Sequence, residues 1–300
     1  MNPPTPAKEY KFALVVPFVG NWTITGSCLL NIANKTKQPG QLIVIDNGSD
    51  ENYKERIEAL VISSSLDLVY IRNEENTGVL DTFKQGLEKS EAPITCFIHN
   101  DVLIHEANYD ERITQAFDAD PQLGLAGLFG ARGVQPDGGR EGSMSNMLGL
   151  EWGGCECHAL AAAHHGEHMT GIFPCAVFDG VGLFFRTSVL KDLANHSDIF
   201  ADWRAPHHFY DRIMSLKVLE RGYHMAVIGI GFDHYSGATA NHSQKYVDFA
   251  RKWLAEHGHE ENGVGLDNTI YWIAEKQWRD EYAHRLPVIV STDYSVRWSG

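Results

Sequence analysis

The segment Phe97-Ile98-His99-Asn100-Asp101-Val102 puts an imidazole and a carboxylate two residues apart just after an apolar run. A carboxylate released at the end of a buried strand can bind a hard cation that bridges two phosphates. The same residue also suits a turn or a helix cap. A second polar cluster, Asp46-Asn47-Gly48-Ser49, ends another apolar run. Its glycine permits close backbone approach to a ligand, while Ser49 or Asp50 can equally cap a following helix. A third group is Cys155-Glu156-Cys157-His158 with His164, His165 and His168. Thiolate and imidazole are zinc ligands, yet Cys-x-Cys is not the spacing of a zinc knuckle, and a His-rich acceptor loop accounts for the group as well.

These residues need a scaffold that presents them together. The first hundred residues alternate β-branched runs with amphipathic stretches, which predicts a parallel sheet with crossover helices. Strands are expected at Phe12–Pro17, Gln41–Asp46, Leu66–Arg72 and Ile94–Ile98, and helices at Asn21–Lys35, Asn52–Ile62 and Thr77–Lys89. Ligands of such sheets bind at the carboxyl ends of the strands, where loops and helix N-termini offer backbone donors. Farther on, a helix ending at Ala119, an apolar run Leu123–Phe129 and a Gly-rich segment Gly130–Gly154 follow, the last read as a long functional loop. Leu183–Arg186 and Met225–Ile230 read as strands. Tyr210–Arg221, closed by Gly222, and the stretches Ser243–His257 and Asn268–His284 read as helices.

Composition narrows the function classes. The chain has 300 residues, 43% of them hydrophobic and 21% charged, as expected of a folded enzyme. Against 25 Lys and Arg stand 39 Asp and Glu, a net charge of −14 that repels nucleic acid and anionic membranes. Nucleotide phosphates remain accessible to such a protein through a divalent cation. Five cysteines, an odd number, argue against a disulfide framework, and no signal peptide or membrane span is visible, so a cytoplasmic location is expected.

Over Phe12 to Gly237 the motifs resemble, in order, those of family 2 glycosyltransferases of the GT-A fold. Val15-Val16-Pro17 resembles the strand that runs into the first nucleotide loop, Asp46-Asn47-Gly48-Ser49 the segment against the nucleobase, and Asn76-Thr77-Gly78 the Asn-x-Gly stretch. His99-Asn100-Asp101 takes the place of the Asp-x-Asp metal motif, with His for the first acid. His208-Phe209-Tyr210-Asp211-Arg212-Ile213 resembles the segment that supplies the general base, although Arg212 and Ile213 stand where a second acid often follows.

The resemblance implies an α/β GT-A domain over 1–240, its nucleotide-binding half at about 11–105 and acceptor-binding half at 106–240, with a helical extension at 241–300. It implies Asp211 as base and Asp101 with His234 as ligands of Mn²⁺ or Mg²⁺, imidazole favouring Mn²⁺ over Ca²⁺. Pro17, Val19, Asp46, Asn47, Asn76, Gly78, His99, Asn100 and Asp179 are the implied nucleotide-sugar contacts, Asp179 toward sugar hydroxyls. The expected reaction is inverting transfer from a nucleoside-diphosphate sugar, a UDP-sugar first, to a hydroxyl acceptor.

Three alternatives stay open. A nucleotidyltransferase would need a basic phosphate loop, and Val16 to Thr25 has no Lys or Arg. A non-catalytic sugar-binding module would explain the altered metal motif. Transfer to a DNA base would need a basic groove from residues such as Arg132, Arg140, Arg204 and Lys217. The aromatics Trp253, Tyr271, Trp272 and Trp278 are expected to pack helices onto the core.

Overall fold

The structure is a computed structural model that describes residues 9–152, 159–196, 200, 206–236 and 244–285. The N-terminal part winds through β1 (Phe12–Phe18), α1 (Trp22–Lys35), β2 (Gly40–Asn47), α2 (Lys54–Val61), β3 (Leu66–Asn73), α3 (Val79–Lys89) and β4 (Ile94–Ile98). Strands β1, β2 and β4 are buried end to end apart from Pro17, which is why their sequences are continuous apolar runs rather than alternations. The expected elements are all present, their ends shifted by one or two residues.

The chain then passes through β5 (Val102–Ile104), α4 (Tyr109–Ala119), β6 (Leu123–Gly127), β7 (Phe129–Val134), β8 (Arg140–Trp152), β9 (Ala159–His165), β10 (Ile172–Pro174), β11 (Val177–Phe178) and β12 (Gly182–Arg186). It continues with α5 (Thr187–His196), α6 (Tyr210–Glu220), β13 (His224–Ile228), β14 (Gly231–Ser236), α7 (Gln244–Glu256) and α8 (Leu266–Gln277). Past α8 a π-helical turn at Trp278–Tyr282 and a short 3₁₀ turn replace the continuous helix expected to His284.

An eight-stranded sheet has the order β10-β13-β6-β12-β4-β1-β2-β3. Its β4-β1-β2-β3 half is parallel, and β12 inserts antiparallel between β4 and β6. A second sheet, β11-β7-β8-β14-β5, carries β9 on β8. The segment read as a Gly-rich functional loop is therefore largely the β7–β8 hairpin, with Phe129 opposite Ser145 and Val134 opposite Arg140. Small residues and glycines masked its alternation, because pairing on both sides of β8 supplies the order that its side chains do not advertise.

The core lies on both faces of the large sheet. Helices α7 and α8 form their own cluster around Trp253, Leu254 and Ile270, joined to Val19 after β1. Trp278 is fully buried against Phe209, whereas Trp272 is half exposed and departs from the expected packing role. Among the described residues no helix is long and apolar enough to cross a membrane.

Candidate active site

At the carboxyl ends of β1, β2 and β4 the chain leaves the sheet, and there a cavity of about 360 Å³ opens. That volume suits a small organic ligand. Pro17, Val19, Asn47, Asn76, Gly78, His99, Asn100, Asp101, Asp179 and His234 line it, so all but two of the expected site residues come together. Asp46 and Asp211 do not line it.

Asp46 is fully buried behind the first loop. Its Oδ1 accepts the Ser49 N–H at 2.9 Å, its Oδ2 accepts the Tyr70 hydroxyl at 2.8 Å, and Arg72 lies 3.4 Å away. Asn47 faces the cavity instead, tied to Asn73, Asn76 and Thr77 by side-chain hydrogen bonds. Gly48, at φ +88, has a role other than the ligand approach its sequence suggested. A Cβ there would stand 2.6 Å from the Glu75 carbonyl carbon, so the glycine lets the loops after β2 and β3 close on each other.

The metal-motif residues form a cluster. His99, Asp101 and His234 each offer one ligand atom, all within 4.8 Å of one another. Strand pairing explains how a residue 133 positions downstream reaches Asp101: His234 in β14 lies opposite Val102 in β5. His234 Nε2 stands 3.4 Å from Asp101 Oδ1, an ion-pair contact too long for a good hydrogen bond, and that buried oxygen has no closer donor. A buried carboxylate oxygen without a donor is costly unless a cation or a proton meets it. Burial opposes charge on Asp101, but His234 and His99 outweigh it and hold the carboxyl below its usual range. Burial likewise opposes charge on His234, and Asp101 lifts its pKa above the ordinary imidazole value. His99 is shifted down by burial despite Asp101, and its Nε2 lies 2.9 Å from the Tyr210 hydroxyl. Two imidazoles and a carboxylate fit Mn²⁺ or a related transition ion better than an all-oxygen Ca²⁺ site.

The two remaining acids flank Arg140 of β8. Asp179, just after β11, pairs directly with Arg140, and its Oδ1 accepts the Val181 N–H at 3.1 Å. Burial works against its charge, but Arg140 and the neighbouring His234 and His99 bring its pKa down to about 2. Asp211, in the first turn of α6, is 5% exposed. Its Oδ2 accepts the Gly180 N–H at 3.0 Å, its Oδ1 accepts from the Arg212 backbone and guanidinium at 2.8 and 2.9 Å, and Arg140 lies 3.9 Å off. Gly180 separates the two acids, and a Cβ on it would come within 2.0 Å of the Tyr210 hydroxyl.

The chain's match to a family model, described as glycosyltransferase like family, covers residues 42–257, well over half of its length. The chain belongs to this glycosyltransferase-like family. No curated protein matches it significantly. Among solved structures, S. aureus TarS 1-349 in complex with UDP-GlcNAc aligns with a TM-score of 0.51 at 12% identity, covering 89% of this chain and 72% of that one. A longer S. aureus TarS chain gives 0.53 at 14%, with 91% and 44% covered. GalNAc-T7 with UDP, GalNAc and Mn²⁺ gives 0.54 at 10%, with 93% and 57% covered. The transferase thus has the GT-A fold and spans less than half of the longer TarS chain.

Residues without an expected role also line the transferase's cavity: Tyr210, His207, His208, Tyr246, Phe249 and Asp267. His208 and Tyr210 lay inside the recognised motif. His207, Tyr246 and Asp267 come from the segment before α6 and from the C-terminal helices, and no local pattern marks them. His208 and Phe209 both adopt left-handed backbone, at φ 62 and 60. For non-glycine residues this costs roughly 1–2 kcal/mol each, and such strain tends to gather at functional sites. Burial drives the His207 pKa down to about 4 despite its bond to Asp267. Cys155, Cys157 and His158 lie outside the described residues. Of the cations proposed for a DNA groove, Arg132 pairs with Glu167, Arg140 with Asp179 and Lys217 is buried, while Arg204 lies outside the described residues.

Proposed function

We propose that the chain transfers a sugar from a nucleoside-diphosphate sugar, a UDP-sugar first, to an acceptor hydroxyl with inversion. The observation that carries this reading is the convergence of the buried, poorly satisfied Oδ1 of Asp101 with two imidazoles in a cavity at the carboxyl ends of a parallel sheet. Asp101, His234 and His99 would hold Mn²⁺ or Mg²⁺. Such an ion, when bound, neutralises charge on the departing diphosphate. Pro17, Val19, Asn47, Asn76 and Gly78 form the wall for the nucleoside, and Asn100 is fixed there by the hydrogen bond its side-chain Nδ2–H donates to Thr25 Oγ1 at 2.8 Å. Asp46 supports that wall from behind through Ser49 and Tyr70.

Inversion requires a base on the acceptor side. Asp211 is our first assignment, on its place in the recognised motif; its proton-accepting oxygen is Oδ2, now held by Gly180. A second reading gives the role to Asp179, favoured by the single observation that it lines the cavity and Asp211 does not. Arg140 would then orient whichever acid is not the base.

Transfer assays with nucleotide sugars and Mn²⁺, comparing Asp211→Asn with Asp179→Asn, test this. Loss of the base lowers turnover by about 10²–10⁴-fold while donor binding persists. Full activity of Asp211→Asn passes the role to Asp179; full activity of both removes a carboxylate base altogether. Release of pyrophosphate rather than nucleoside diphosphate would refute sugar transfer.

A further inference from the structure

Apart from the Asp101 cluster, the cavity lining brings together His207, His208 and Asp267. Their ligand atoms also lie within 4.8 Å of one another. His207 Nε2 is 2.8 Å and His208 Nε2 is 3.1 Å from the same oxygen, Asp267 Oδ1.

Consecutive residues of an extended chain point their side chains to opposite sides. Here the left-handed backbone at His208 brings the neighbouring rings to centroids 4.0 Å apart, both aimed at one carboxylate from the first turn of α8. The arrangement is held from behind, since Phe209 is fully buried and packs on Tyr271 and Trp278. Two imidazole nitrogens and one carboxylate oxygen converging on a point form the ligand set of three-ligand zinc sites. The Tyr246 hydroxyl lies 2.7 Å from His207 Nε2 and 3.0 Å from Nδ1, so a further oxygen stands beside the same convergence point.

We propose that His207, His208 and Asp267 form a second divalent transition-metal site, of the zinc class, separate from Asp101. The site ties α8 to the segment before α6, and its open coordination position takes an oxygen of water or of a ligand in the cavity. It places the C-terminal helices under the control of metal occupancy. Nothing in this proposal depends on which sugar is transferred or on which acid is the base.

Co²⁺ is the probe for the test, because its visible spectrum reports coordination. The full chain is stripped with chelator and carries Cys155→Ser and Cys157→Ser, so that thiolate ligation is removed. Equilibrium dialysis and absorption are then expected to show two ions per chain, one lost in Asp267→Asn or His207→Gln and the other lost in Asp101→Asn. Retention of the Asp101 ion by Asp267→Asn shows that the variant is folded; should it not fold, His207→Gln reads the same site. Unchanged stoichiometry in a folded Asp267→Asn or His207→Gln overturns the proposal. So does a single ion that vanishes in Asp101→Asn. Failure of Asp101→Asn to lose an ion would count against the donor-metal reading alone.

Discussion

The cavity carries two clusters of the same composition, two imidazoles and one carboxylate, built in opposite ways. In the first, Asp101 is buried and its Oδ1 has no donor closer than His234 at 3.4 Å, while His99 and His234 are delivered by the ends and pairings of sheet strands. In the second, Asp267 is half exposed, its Oδ1 already meets both imidazoles, and the histidines ride on a left-handed turn. The sheet fixes that oxygen in a buried, poorly satisfied position whose desolvation cost a cation would offset, whereas the half-exposed second cluster already satisfies itself with internal bonds.

This contrast can be broken most directly through the packing behind the second cluster. Trp278 is fully buried beneath Phe209. Trp278→Ala should cost about 3–5 kcal/mol in urea unfolding, as large-to-small core changes do. In the folded variant it should weaken Co²⁺ at His207, His208 and Asp267 and spare the Asp101 ion. Equal weakening at both clusters would show that they share one scaffold.

The next effect is catalytic. Asp101→Asn should lower sugar transfer by about 10²–10³-fold, since electrostatic stabilisation by a bound ion is worth several kcal/mol. Asp267→Asn should retain more transfer than Asp101→Asn in the same assay with Mn²⁺. The reverse order would move the chemistry to the second cluster.

Acidity should act on the first cluster more gently. A metal binds neutral imidazole, so a bound proton competes with it. The His234 pKa is raised because Asp101 outweighs burial, and the first cluster must lose a proton to bind. Its apparent metal affinity should fall by about tenfold per pH unit below that pKa and level off above it. In the second cluster His207, pushed down to about 4 by burial, adds no competing proton of its own until lower pH. Metal titrations between about pH 5 and pH 7 check the difference, because ordinary imidazole titrates in that range. A first-cluster affinity that stays constant over that range would refute the assignment of the competing proton to His234.

Legibility followed the same division. The β1 to β4 region could be read because buried parallel strands are continuous apolar runs and their crossover helices are amphipathic. The residues just after those strands, Asn47 and His99 to Asp101, were found for that reason. The hairpin of β7 and β8 was missed, since its glycines and small side chains carry little period. Arg140 was noticed only as part of a charge patch, and its pairing with Asp179 across 39 positions leaves no local trace. His207 and Asp267 escaped for a similar reason, being 60 positions apart.

The sequence by itself determined the parallel half-sheet, the strand-end loops and the chemical types available there, because period and turn chemistry are local properties of the chain. Tertiary structure alone decided which groups meet. It turned Asp46 into a support behind the wall, put Asp179 rather than Asp211 at the cavity surface, and left Asp101 Oδ1 buried with His234 as its nearest partner. Burial and convergence are set by contacts distant along the chain, and no local pattern encodes them.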